Sequence, residues 1–516
     1  MKRYMALAVI LMTSMSMMAQ ETYENTKLAE TDLNGTAKYV GMGGALEALG
    51  ADLSTMGTNP AGIGLFRNSS ISASMSLVNQ QDAHTFSHGH KTHVSFDQVG
   101  FVYTSPNYEG SSFLNFGFTY RKSRDFNQII NATAALDNAS QNKLSYQKLR
   151  NGVFRNITDL NYTQVDAFYV TSLLYDPVED AYFYFPASSY QYNRAQKGYI
   201  GEYNVNISGN INNRVFLGVT FGLHDVHYNH YSEFNEKLVP NEDLVESLTM
   251  NDNRKVTGTG TDIKAGVIVR PVDSAPFRIG AYIHTPTWYE LITSNQTTLT
   301  DNLVSITKNE EYKFKVYTPW KFGVSLGHTI GNYLALGATY EYTDYSTTSA
   351  RIKDNDYYYS LMDRSYSYSH RDENMNKLTR STLKGVSTVK IGGEYKPDPS
   401  LAIRLGYNYV SPMFDKLGSK DGTIASPGNY YESETCFVNW KDTHRITAGF
   451  GWAFNKVWNL DVAYQYSTMK GDYYPFMNYY ENGVTGVKSV EDNHCDAVSV
   501  SNNRHQILCT LSYRFQ

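Results

Sequence analysis

"RVFLGVTFGLH", residues 214–224, decides the fold. Val215, Leu217, Val219, Phe221 and Leu223 fall on one face, with Gly218, Thr220, Gly222 and His224 on the other. Strict alternation marks a strand with one apolar and one polar side. Just before it stand Asn212-Asn213, a two-residue turn, and a second alternating run at 198–211. Together they read as a β-hairpin. The pattern recurs in "SISASMSLVN" (70–79), where Ile71, Ala73, Met75 and Leu77 oppose serines. It recurs again in "LAIRLGYNY" (401–409) and "RITAGFGWAFN" (445–455).

Marking every such run predicts strands at 70–79, 94–104, 112–122, 198–211, 214–227, 259–270 and 276–286. Seven more follow at 312–328, 333–348, 385–396, 399–410, 443–455, 457–468 and 504–515, an even total of fourteen. The gaps alternate long and short. The short ones are "PNYEGS", "NN", "PVDSA", "GN", "PDP" and Lys456; the long ones are 80–93, 123–197, 228–258, 287–311, 349–384, 411–442 and 469–503. Tight turns at one rim and long loops at the other are the plan of an antiparallel transmembrane β-barrel. A soluble sandwich would not sort its loops this way, and no repeat of a solenoid is present. The expected fold is therefore all-β, a fourteen-stranded closed barrel over residues 70–516, both termini on the short-turn side.

The ends and the composition agree. "MKRYMALAVILMTSMSMMAQ" has a basic start, a short apolar core and small residues before Gln20, so residues 1–19 read as a secretory signal peptide. Removing Lys2 and Arg3 leaves 43 basic against 50 acidic residues, a balance that argues against nucleic acid. No run outside the leader is long enough for a transmembrane helix, while 43 tyrosines suit a membrane interface. The last strand ends with Leu511, Tyr513 and Phe515 in alternation, similar to the C-terminal signal read by barrel-assembly machinery, although Gln516 follows the aromatic residue.

Residues 20–69 do not read as strand. Thr36 to Leu49 suggest a short helix with glycine breaks, followed by loop. Many inward strand positions are Gly, Ser or Thr, which leaves room for a plug, and a barrel of this size is wide enough to hold one. Residues 20–69 are thus expected to fold back into the lumen. Asn59, Pro60, Ala61 and Gly62 also fit a type I turn that delivers the chain to the first strand.

"VGMGGALEALGADLSTMGTNPAGIGLF" (40–66) ahead of fourteen strands resembles the FadL/TodX group of outer-membrane transporters for long-chain fatty acids and aromatic hydrocarbons. That resemblance implies a hatch ending in Asn59-Pro60-Ala61, passive uptake of hydrophobic compounds, and lateral exit into the membrane through a kinked third strand. The third strand here is "SFLNFGFTYRK", where Gly117 could weaken the ladder. The partners it implies are a hydrophobic small molecule, outer-membrane lipid and the assembly machinery.

Loop 80–93 holds His84, His88, His90 and His93, either solvated or a site for a metal ion or haem iron; a haem receptor is the alternative function. Loop 123–197 carries an aromatic stretch at 173–192, a candidate groove or lid. Cys436 and Cys495 fall in the last two outer loops and are expected to pair; Cys509 lies on the lipid face. GxSxG, HExxH and Walker motifs are absent, so no enzyme and no cofactor are expected.

Overall fold

The computed structural model describes residues 20–108, 111–240, 245–301, 305–353, 369–481 and 491–515. The expected signal peptide and Gln516 lie outside these. Fourteen antiparallel strands form the wall: β1 (Ser70–Gln80), β2 (Thr92–Pro106), β3 (Phe113–Asp125), β4 (Ala187–Ile211), β5 (Val215–Leu238), β6 (Ser247–Val269) and β7 (Arg278–His284). The second half is β8 (Lys321–Ile330), β9 (Leu334–Asp344), β10 (Gly385–Asp398), β11 (Leu401–Val410), β12 (Phe437–Ala453), β13 (Trp458–Tyr474) and β14 (Arg504–Arg514). Each pairs with its sequence neighbours, and β1 closes on β14 from Ser70↔Arg514 to Gln80↔Arg504. Closure leaves no free edge along the wall, the condition for placing backbone in hydrocarbon.

The alternation sets the two faces. Leu217, Val219, Phe221 and Leu223 are exposed outward, whereas Thr220 and His224 are buried within. The same holds for Ile71, Met75 and Leu77 against Ser72, Ser74 and Ser76. The result is an apolar outer belt of the kind a bilayer requires, around a polar lumen.

Above the belt the pattern inverts rather than ends. In β5, His227, Asn229, Glu233 and Lys237 point outward, while Val226, Tyr228, Phe234 and Leu238 are buried. The strand has left lipid for water, so its polar side now faces out. For this reason β4 begins at Ala187 rather than at 198, and β5 and β6 extend through much of the expected loop 228–258. The expected strand 312–328 is two strands, Ser305–Tyr317 and β8, separated by Thr318-Pro319-Trp320. Its partner is divided likewise, with Thr285-Pro286-Thr287 between β7 and Trp288–Thr300. Proline has no N–H to give the ladder, which explains both interruptions.

The expected loop 123–197 carries a strand (Gln128–Ala139) and two helices, at Gln141–Arg150 and Gln164–Ser172. Leu144, Phe168, Leu174, Phe185, Tyr190 and Tyr192 join Phe234, Tyr473 and Phe476 in one buried cluster across the outer mouth. The aromatic stretch is therefore largely a packed cap. Tyr175, Val178 and Tyr182 remain exposed on its rim.

Candidate functional site

Residues 20–66 fill the lumen. They comprise a helix at Thr22–Ala29, a short one at Ala37–Gly41, and 3-10 turns at Leu53–Gly57 and Pro60–Leu65. The expected helix from Thr36 to Leu49 stops at Gly41, because Gly43 and Gly44 take left-handed φ values of 62° and 80°. Thr36, Asp52 and Asn59 each cap the turn that follows with a side-chain oxygen. Asn59 accepts from Ala61 N at 3.2 Å, and Gly62 N donates to Asn59 O at 3.0 Å, so the Asn-Pro-Ala segment is a closed turn. Met42, Leu46, Met56 and Ile63 are almost wholly buried, worth roughly 1.5–3 kcal/mol each.

What receives this plug is a set of wall glycines. Pro60 lies against Gly218 on β5, and Asn59 lies between Gly266 on β6 and Gly280 on β7. Met42 covers Gly392 and Gly406, Ala45 covers Gly337, and Met56 covers Gly117. A Cβ at Gly218, Gly266, Gly337, Gly392 or Gly406 would overlap plug atoms. Gly117 is thus a seat for Met56 and not a kink: it pairs on both sides, with Val102 and with Asn206. The irregularity of β3 lies six residues on, a register shift between Lys122 and Arg124. There Asp32 N donates to Ser123 O at 2.8 Å, and Asn34 Nδ2 to Lys122 O at 3.1 Å.

One buried carboxylate pins the plug core. Glu47, fully enclosed, accepts from Tyr39 Oη at 2.8 Å, Lys390 Nζ at 2.9 Å and Thr339 Oγ1 at 2.9 Å. The N-terminal helix is held higher in the lumen. Glu24 contacts Lys27 at 2.6 Å and Arg254 at 3.5 Å, Tyr23 Oη donates to Asn439 at 2.9 Å, and Arg124 pairs with Glu30 and Asp32. Burial acts to raise the Glu24 pKa, but Lys27 and Arg254 outweigh it and hold the carboxyl well below its usual range.

Two cavities flank this helix. The larger, about 170 Å³, has an apolar side formed by Val386, Val410, Met413, Phe414, Phe437 and Trp440. Charged residues of both signs line the rest, among them Arg445, Arg504, Glu24 and Asp125. The smaller, about 130 Å³, is more polar, lined in part by Glu202, Asp262 and Lys264, and reaches the wall at Thr287, Thr318 and Pro319. Tyr345, Val386 and Val410 line both.

The loop histidines do not assemble. His93 Nε2 is bonded to Asp125 at 2.9 Å, His88 stacks on Tyr231 at 3.7 Å, and His84 and His90 are exposed. Among the described residues, the three groups whose ligand atoms come within 4.8 Å of one another are His230, Asp252 and Glu434, which sequence reading passed over. Arg254 stands 3.6 Å from Asp252 and Arg194 stands 3.9 Å from Glu434, so guanidinium groups already supply the counter-charge a metal would bring. The expected disulfide is not formed. Cys436 and Cys495 are free thiols in the same apolar cluster, each with its own polar neighbour: Tyr192 for Cys436 and the Asp496 carbonyl for Cys495.

No protein-family model and no curated protein matches the chain. Among solved structures, it is similar to a Pseudomonas aeruginosa FadL homologue, with 12% identity, a TM-score of 0.52, and coverage of 94% of this chain and 99% of that one. It is also similar to the Ralstonia pickettii toluene transporter TbuX (12%, TM-score 0.49, 94% and 100% covered). The Pseudomonas putida toluene transporter TodX stands at 11% and 0.49, with 94% and 100% covered. At this identity the likeness to the FadL homologue establishes the fold.

Proposed function

We propose that the protein is an outer-membrane channel for passive uptake of hydrophobic small molecules, closed at rest by its N-terminal plug. The observation that carries this reading is the larger cavity, which joins apolar residues such as Val386, Met413, Phe414 and Phe437 to charged ones of both signs, inside a barrel with an apolar outer belt. An open porin would have no use for plug residues fitted onto wall glycines as Asn59, Pro60, Met42, Ala45 and Met56 are. Apolar cargo gains by moving from water to such a wall and then to lipid, at roughly 25 cal/mol per Å² buried. The fold shared with a FadL homologue supports the same direction. Export by residues 1–19 and insertion by the assembly machinery belong to this proposal.

The test is extraction of the protein purified in mild detergent, followed by mass spectrometry and an absorbance scan. A bound lipid-like or aromatic compound without a haem band is expected. A stoichiometric haem band would overturn the reading.

A further inference from the structure

Removal of residues 1–19, which belongs to the function proposed above, makes Gln20 the first residue of the chain. Chain ends are usually solvated and loosely held. Here Gln20 is 2 % exposed, and Glu21 and Thr22 beside it are buried as well. The terminus lies inside the lumen at the start of the helix Thr22–Ala29, against Tyr312, whose ring stacks on Tyr431 at 4.5 Å.

Residue 20 is held through its two carbonyl oxygens. Tyr312 Oη donates to Oε1 at 2.7 Å, and Asn25 Nδ2 donates to the backbone O at 3.0 Å. The backbone is closely packed, since a Cβ at Gly428 would stand 2.9 Å from the Gln20 carbonyl carbon. Among the described residues, nothing bonds the side-chain nitrogen Nε2. An amide N–H group without an acceptor in a packed site is a cost that the site does nothing to offset.

The α-nitrogen poses a second problem, because a free terminus carries a charge into this enclosure. Glu21 stands next to it, with Oε2 accepting from Tyr23 N at 2.8 Å and Oε1 without a partner. A retained ammonium paired with Glu21 would desolvate two charges. It would also leave Nε2 unbonded. Ring closure removes both difficulties at once.

We propose that Gln20 is a modification site, cyclised to pyroglutamate before the plug docks, and that the lumen receives this uncharged ring. The unprotonated α-nitrogen attacks Cδ, and the new N–Cδ bond closes a five-membered lactam. The Cδ–Nε2 bond breaks, one proton passes from the α-nitrogen to the departing nitrogen, and ammonia leaves. No oxidant or cofactor is needed, and closure within one residue is intramolecular. The group expelled is the one the site does not hold. Both bonded oxygens remain, Oε1 as the ring carbonyl facing Tyr312 and the backbone O facing Asn25. Closure comes before docking because the docked residue is enclosed on every side that a second molecule would need.

The experiment uses the whole protein purified from membranes in mild detergent. It is unfolded, its free amines are dimethylated at once, and the N-terminal peptide is then mapped by mass spectrometry. Labelling before digestion fixes the state present in the membrane. A peptide that starts at residue 20, is lighter by one ammonia (about 17 Da) and bears no label on its α-nitrogen is expected. A peptide that starts at Gln20 with a dimethylated α-amine would overturn the modification and leave export intact. A peptide that starts at Met1 or elsewhere would overturn the export reading too. Pyroglutamyl aminopeptidase then reads the enclosure: it should release the ring from unfolded protein and many-fold more slowly from the folded barrel. Equal release from both would overturn the docked position.

Discussion

Gly218→Ala adds a single methyl group to the wall and should unseat the plug without disturbing the barrel. The new Cβ would overlap the Pro60 carbonyl and lie 2.7 Å from Ala61 N. All three neighbours are backbone atoms of a turn whose φ at Pro60 is fixed, so none can rotate away. Overpacking of this kind costs about 1–3 kcal/mol, and the rigidity of the turn favours the upper end. The barrel itself loses nothing, since Gly to Ala in an extended strand recovers about 0.4–1 kcal/mol from the unfolded chain. The docked-to-undocked ratio of the plug should therefore fall about 5- to 150-fold while the heat-modifiable barrel band on gels is unchanged. Amide hydrogen exchange over residues 58–65 reads the plug directly. Gly393→Ala is the control, since the nearest atom to its Cβ would be the flexible end of Leu336, at 3.2 Å, and the Ala335 carbonyl would stand at an ordinary 3.7 Å. Exchange at 58–65 as slow in Gly218→Ala as in Gly393→Ala would refute the reasoning.

Glu47→Met should destabilise the docked plug by about 3–5 kcal/mol, because it leaves Lys390 buried with half its counter-charge; faster exchange across residues 36–57 is the readout. The N-terminal helix should respond to pH through Glu21, whose carboxyl burial pushes from the usual 4.5 up to about 7, against the pull of Lys420. A raised carboxyl disfavours the folded state once ionised, so the Glu21 contribution to docking is full below pH 4.5 and is lost as pH rises to about 7. Glu21→Gln should flatten the pH profile of exchange at residues 22–29. Burial pushes the Cys436 and Cys495 thiols up to about 12, so native protein should resist alkylation at both at pH 8 and show no shift on reducing gels. Rapid alkylation of either before unfolding would contradict the packing described.

Most of the wall was legible because alternation is a period-two signal that survives without tertiary information. Each of the fourteen expected runs holds a wall strand, although 312–328 is divided at residues 318–320, and Gly62 N donates to Asn59 O across the turn expected there. What escaped has identifiable causes. In sequence the upper halves of β4, β5 and β6 read as loops, because polar residues such as Asn229 and Lys255 face outward in water, inverting the sign of the pattern without changing its period. Pro286 and Pro319 were visible, but whether a proline ends a strand or interrupts one depends on the neighbouring strand. The glycine seats could be suspected from inward Gly, but their match to Pro60, Met42 and Ala45 is set by the register between strands far apart in sequence. The ionic ties of Glu24 and Glu47 likewise join residues hundreds of positions apart, to Arg254 and Lys390. Four histidines within ten residues leave both a site and a solvated loop open in sequence, because proximity along the chain does not fix where side chains converge.

A closed, plugged barrel of this kind should admit hydrophobic compounds and exclude polar ones. Its most direct test is reconstitution into lipid vesicles, with parallel measurement of the transfer rate of a long-chain alkyl compound and of swelling in a small sugar. Protein-dependent transfer of the alkyl compound is expected, with no sugar-driven swelling. Swelling like that of an open pore, with no gain in alkyl transfer over empty vesicles, would contradict it.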